Sequence, residues 1–213
     1  VLEAAFHIAT QLMPAEPSVH IRDLSMDHMI EIPENTVVTI EWNIDRNEDG
    51  SFQFSLHSRF EGESVWQRNA TGIMSSGQQL NIKSPFTPED LKRTCKDTVS
   101  ADHFYALFNR SGLLFGPSFQ PLKQLWTGEQ MALGRLSADT SEGLKTSGFG
   151  FSPLLIDGAL QVIAGTYADL ANTTEQITLY LPIGIDRFEI FAIPSGDIWG
   201  YATIRPISFP DQK

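Results

Sequence analysis

Between Gly148 and Ile163 an apolar segment lies in a chain otherwise rich in alternating and turn-forming residues. Leu154, Leu155, Ile156, Leu160, Val162 and Ile163 cover most faces of a helix instead of one stripe, the pattern of a helix packed inside a domain. A helix of that kind must be wrapped, so the flanking segments have to supply sheet around it. Gly148 and Gly150 loosen the backbone ahead of it, and Pro153 suits the first helical position, where its missing N–H would have no partner anyway. Asp157 sits among the apolar residues, with Gln161 one turn later on the same face. Free N–H groups near a helix start favour the ionised acid, whereas apolar neighbours favour the neutral one. Two readings stay open at this point: Asp157 caps a buried helix, or it is a functional carboxyl that Gln161 holds by a hydrogen bond.

The flanking segments carry the expected periods. Leu2, Ala5, Phe6, Ala9, Leu12 and Met13 share one face and predict a buried helix over residues 1–13, ended by Pro14 and Pro17. His7 lies off that stripe and reads as a surface histidine. From Val19 to Gly72 the period falls to two, which predicts three or four antiparallel strands, with Asn47-Glu48-Asp49-Gly50 as a hairpin turn. Residues 75–100 lose periodicity and read as a connection between two halves. A helix follows over Ala101–Gly112 with Phe104, Leu107 and Phe108 on one face, then a bend at Phe115–Gln120 and a hairpin joining Leu122–Trp126 to Met131–Leu136. The apolar helix should run to about Leu170. Strands over Ile177–Ile193 and Trp199–Ile204, joined by a turn at Pro194–Asp197, complete the second half. Each half thus offers a buried helix and antiparallel strands, a duplication of architecture without a duplication of sequence.

Charge and cysteine content exclude several classes of function. A net charge of −11, with 15 basic residues scattered among 26 acidic ones, speaks against nucleic acid and anionic membrane surfaces. Lys92, Arg93 and Lys96 form the one local basic cluster. The single Cys95 can form no internal disulfide and has no metal-spaced neighbour, which fits a reducing, cytoplasmic setting. No apolar run reaches the roughly 20 residues a membrane helix needs. Val1 enters a helical pattern with no initiating Met, so the chain reads as continuing from something upstream.

Four motifs stand in order along the chain. Trp66-Gln67-Arg68-Asn69-Ala70-Thr71-Gly72 is similar to a strand ending in His-Ala-Thr-Gly, and Phe115-Gly116-Pro117-Ser118-Phe119-Gln120 to Tyr-Gly-Pro-x-Phe-Gln. Ser152 to Gln161 is similar to His-Pro-x-Leu-Leu-Asp-x-x-Leu-Gln, and Leu181-Pro182-Ile183 to Leu-Pro-Phe. In order and spacing these motifs resemble the dehydratase domain of modular polyketide synthases, and the resemblance extends from about Val1 to Arg205. It implies an α+β double hotdog, two long antiparallel sheets each wrapped around a buried helix. Within it, residues 1–74 would form an N-terminal hotdog lacking its first segment, 75–100 the link and 101–213 a C-terminal hotdog.

The chemistry implied is loss of water from a 3-hydroxyacyl thioester to give the 2-enoyl thioester, with Asp157 as general acid. Gln161, Phe115, Gly116, Pro117, Pro153, Leu181 and Pro182 would position the acid or the substrate. The chain would need neither metal nor cofactor, because the acyl group rides on the phosphopantetheine of an acyl carrier protein. That carrier and the other domains of a synthase are the implied partners, and a homodimer is compatible. The family's base is a histidine in a His-x-x-x-Gly-x-x-x-x-Pro segment ahead of the first helix. His7, His20, His28, His57 and His103 all lack that spacing. The expectation is therefore that this segment precedes Val1 and that a closing strand follows Pro206. An isomerase or cyclase using the same pocket, a base-less scaffold domain and a hotdog thioesterase are the alternatives. Two departures stand out: Ser152 replaces the family's histidine, which costs a structural hydrogen bond, and Phe115 replaces a tyrosine, which changes either substrate contact or packing alone.

Overall fold

The alternating segments form antiparallel ladders and the apolar segments form the helices that lie on them. The computed structural model describes residues 1–16, 18–77, 86–137, 152–191 and 198–205. Two compact units emerge, Val1–Ile82 with Leu181–Ile193, and Lys83–Tyr180 with Pro194–Lys213.

In the first unit, α1 (Leu2–Leu12) buries Leu2, Ala5 and Ala9. Strands β1 (Ser18–Met26), β2 (Val38–Arg46), β3 (Phe52–Phe60), β4 (Gln67–Gly77) and β8 (Gly184–Glu189) make a five-stranded sheet ordered β2-β3-β4-β1-β8. The β2–β3 register runs from Val38 opposite Phe60 to Arg46 opposite Phe52. At its turn Gly50 has φ +84°, a conformation that side chains disfavour. There the Asp49 carboxylate accepts hydrogen bonds from the Ser51 N–H and hydroxyl. Period-two burial appears as predicted on β3, where Phe54, Leu56 and Ser58 point inward.

In the second unit, β5 (Asp97–Ser100), β6 (Leu122–Gly128), β7 (Met131–Leu136) and β9 (Ile198–Thr203) form a four-stranded sheet in the order β5-β6-β7-β9. Helix α2 (Pro88–Thr94) starts with a capping box between Thr87 and Asp90. Helix α3 (Ala101–Arg110) starts at Ser100, whose hydroxyl accepts from the His103 N–H. Helix α4 (Pro153–Gln161) runs into a 3₁₀ turn, Val162–Thr166. The core gathers Val99, Phe104, Leu107, Leu122, Leu125, Ala132, Val162 and Leu170. Glycines bring helix and sheet together: a Cβ at Gly134 would lie 2.4 Å from Val162 Cγ2, and one at Gly165 would lie 2.8 Å from Ala132 Cβ.

The α+β double-hotdog architecture is present, with two antiparallel sheets and the helices that pack on them. Several boundaries differ from the sequence reading. The connection placed at 75–100 contains the end of β4, the whole of α2 and β5. β8, counted above with the second half, pairs with β1 from His20 opposite Glu189 to Ser25 opposite Gly184, and so belongs to the first sheet. Of the strand expected over Ile177–Ile193, the described residues are regular only at Gly184–Glu189. The apolar helix keeps α-geometry only to Gln161, and Ile163 is exposed. Gly148, Gly150 and the turn at Pro194–Asp197 lie outside the described residues. No described helix is long and apolar enough to cross a membrane.

Candidate active site

Pro153 opens α4 and Ser152 holds the cap position in extended conformation, without a side-chain capping bond. Asp157 therefore lies beyond the first turn, where every N–H is already used within the helix. The capping reading fails on that geometry. With no free N–H to hold its charge, the half-buried carboxyl responds to its surroundings: burial pushes its pKa above the ordinary aspartate range, and the Gln161 hydrogen bond pulls it back only in part.

Gln161, itself buried, is the centre of a small network. Its Nε2 donates to Asp157 Oδ2 at 2.6 Å and to the Phe119 carbonyl at 3.0 Å. Its Oε1 accepts from the Tyr105 hydroxyl at 3.0 Å, and that hydroxyl accepts from the Leu122 N–H at 3.0 Å. Tyr105 comes from α3, Phe119 from the short 3₁₀ turn Pro117–Phe119 and Leu122 from the start of β6. The motif that begins at Phe115 is thereby tied to the acid through its backbone. Burial, the largest influence, raises the pKa of the Tyr105 phenol, so the hydroxyl keeps its proton.

Phe115 packs its ring on Tyr105 at 5.7 Å and on Phe108 at 5.6 Å between centroids, and its carbonyl accepts from Gln120 Nε2. A phenylalanine in place of tyrosine makes these ring contacts without a hydroxyl. Gly116 and Pro117 are exposed and lead into the 3₁₀ turn. The structure thus brings Asp157, Gln161, Phe115, Gly116, Pro117 and Pro153 together in the second unit. Leu181 and Pro182 belong to the first unit, just ahead of β8, and Leu181 is 60% exposed.

The histidines serve other ends. His20 is buried with Nδ1 at 3.0 Å from Glu189 Oε1, a carboxylate that Arg187 also contacts. The His28 ring bonds the Arg68 carbonyl, the His57 ring bonds Asn43 and His103 Nε2 bonds the Leu170 carbonyl, while His7 is exposed on α1. In the basic cluster, Lys92 and Arg93 pair with Glu89 and Asp90 on their own helix. Lys92 also stands over the Trp126 and Trp199 rings at 4.8 and 4.4 Å. Tyr105 is the residue that sequence reading missed. It is adjacent to the apolar stripe of α3, but its partner lies 56 positions away, beyond any local spacing.

Residues 83–209 match the polyketide synthase dehydratase N-terminal domain family. The chain belongs to that family. Among its relatives is the polyketide synthase PksN of Bacillus subtilis, 24% identical over 190 residues, which amount to 88% of this chain and 3% of that protein. The chain thus spans a small fraction of the curated synthases it matches. Of solved structures, the dehydratase domain from the CurF module of curacin polyketide synthase is 25% identical, with a TM-score of 0.85 over 97% of this chain and 73% of that one. The CurK dehydratase domain is likewise 25% identical, with a TM-score of 0.83 over 96% of this chain and 70% of that one. Two variants of the CurK dehydratase are described as inactive, one with a histidine changed to phenylalanine and one with an aspartate changed to asparagine.

Proposed function

We propose that this dehydratase-family chain removes water from a 3-hydroxyacyl thioester carried by an acyl carrier protein, with Asp157 as the general acid. The observation that carries the reading is a half-buried carboxyl, raised in pKa by burial, on the central helix of the second unit and bonded by a buried glutamine. Elimination forms a Cα=Cβ bond from the electrons of the Cα–H bond, and the β-hydroxyl leaves as water with a proton from the acid. An acid with an ordinary aspartate pKa is nearly all ionised at neutral pH and has no proton to give; burial of Asp157 restores a protonated fraction. As the proton leaves, the Gln161 N–H steadies the carboxylate that forms.

The elimination also needs a base for the α-proton. The resemblance assigns it to a histidine within a His-x-x-x-Gly-x-x-x-x-Pro segment that these residues do not contain, and the hydrogen bonds of His20, His28, His57 and His103 support leaving them out of that role. In this reading the chain needs no metal or cofactor of its own. It works in the cytoplasm beside the other domains of a synthase, as one protomer or two. Among its relatives, the inactive CurK variants with an altered histidine and an altered aspartate agree with a two-residue elimination.

The test is water loss from a 3-hydroxyacyl pantetheine thioester by the intact polypeptide, followed by mass spectrometry. Asp157→Asn should abolish turnover with the fold intact, and Gln161→Ala should cost far less, on the order of one hydrogen bond's effect. Turnover retained in Asp157→Asn would sink the acid assignment.

A further inference from the structure

Asp157 and Gln161 account for the acid, yet a tyrosine hydroxyl is spent on Gln161 instead of on the acid itself. The directions of these hydrogen bonds explain it. The Leu122 N–H can only donate, so the Tyr105 hydroxyl accepts from it at 3.0 Å and has its one proton left for Gln161 Oε1. At the other end the Phe119 carbonyl can only accept, so it must face Gln161 Nε2. Both ends demand the same orientation of the amide. A flipped Gln161 would set its Oε1 against the Phe119 oxygen and its N–H₂ against a hydroxyl already accepting, which leaves the tyrosine proton without a partner in a half-buried place.

We propose that Tyr105 is a positioning residue: with the Phe119 carbonyl it locks the Gln161 amide so that an N–H meets Asp157 Oδ2, and the acid's proton is carried on Oδ1. A donor on Oδ2 disfavours a proton there, because an oxygen already accepting an N–H is the weaker base of the two. The transferable proton therefore sits on the oxygen that Gln161 leaves alone. A free amide would turn its carbonyl to the acid in part of the population, take the acid's proton into a hydrogen bond of its own and hold it back from the substrate. This assignment rests on the reading of Asp157 as general acid for its effect on rate, but the geometry of the relay can be tested without turnover.

The experiment is the titration of the Asp157 carboxyl carbon by NMR in the wild-type chain, Tyr105→Phe, Gln161→Ala and the double variant, with kcat and KM measured on each. Tyr105→Phe should move the titration midpoint of Asp157 upward, because it removes one of the two contacts that orient the amide and lets its carbonyl meet the acid in part of the population, with the Phe119 carbonyl alone opposing the flip. It should lower kcat by about tenfold, a single hydrogen bond's effect, and leave KM unchanged. In the Gln161→Ala background Tyr105→Phe should do nothing more, because Tyr105 acts only through the amide. An unmoved midpoint in Tyr105→Phe, or an equal further loss in the Gln161→Ala background, overturns the proposal. Absence of turnover in the intact wild-type polypeptide, with the base-bearing segment included, defeats the dehydratase reading, while the titration still decides the relay. If Tyr105→Phe does not fold, the wild type answers alone: the Tyr105 hydroxyl proton should exchange slowly, held on Gln161 Oε1, and rapid exchange overturns the lock.

Discussion

Replacing Gly134 with alanine tests whether the central helix is held at its observed height above the sheet. A Cβ there would lie 2.4 Å from Val162 Cγ2 and 2.9 Å from Leu122 Cδ1, two side chains that are almost wholly buried. Ordinary carbon contacts are about 3.5–4.0 Å, so helix or strand must give by roughly an ångström. Neither neighbour is the free end of a long side chain. Overpacking of this kind costs about 1–3 kcal/mol, while loss of glycine's freedom in the unfolded chain returns about 0.4–1 kcal/mol. The net is a destabilisation of about 1–2 kcal/mol, or a fall in Tm of roughly 2–8 °C for a chain of this size. Trp126 and Trp199 lie in the same sheet and report its unfolding by fluorescence. Val162→Ala alone opens a cavity and costs about 1–3 kcal/mol. Combined with Gly134→Ala it should cost clearly less than the sum, because each change relieves the other. A Gly134→Ala chain as stable as wild type, or strict additivity with Val162→Ala, would refute the close approach.

Two further outcomes follow from the hydrogen bonds and charges. Burial raises the folded-state pKa of Asp157, so its contribution to stability is fully present below the unfolded aspartate pKa, about 3.9, and is lost as pH rises through the raised folded value. Asp157→Asn escapes that loss, so urea melts of the two chains should diverge in favour of the variant as pH climbs from about 4 toward neutrality, and parallel curves would contradict the burial argument. His103→Ala removes the bond from its Nε2 to the Leu170 carbonyl and should cost about 1 kcal/mol in the same melts, with no shift in the Asp157 titration.

Local rules reached the site further than they reached the topology. Asp157 and Gln161 are visible in sequence because an i, i+4 pair shares a helix face, and the Asp49-Gly50 turn because its chemistry is complete within a few residues. The helix α2 was missed: Thr87, Pro88 and Asp90 spell a capping box, but the polar setting around it reads as connection. What spacing could not supply was pairing over distance. Nothing in Gly184–Glu189 states which sheet it joins, since an alternating strand fits any edge of matching polarity. Tyr105 escaped for the same reason, because its hydroxyl is explained only by the orphan N–H of Leu122 and the amide of Gln161.

The placement of β8 has a consequence for synthesis at the ribosome. β1 and β4 have emerged long before β8, whose first residue is Gly184, whereas β4 ends at Gly77. At about 5–20 residues per second the intervening stretch takes roughly 5–20 s to make. For that time the β1 edge that β8 will cover stands open, with the inward-facing His20 next to it still without Glu189. An open edge recruits other strands, so nascent chains stalled before residue 184 are the ones that should need a chaperone. Neither unit is a continuous stretch of chain, and a cut between residues 82 and 83 would part β8 from the other four strands of the first sheet while leaving the four strands of the second on one fragment.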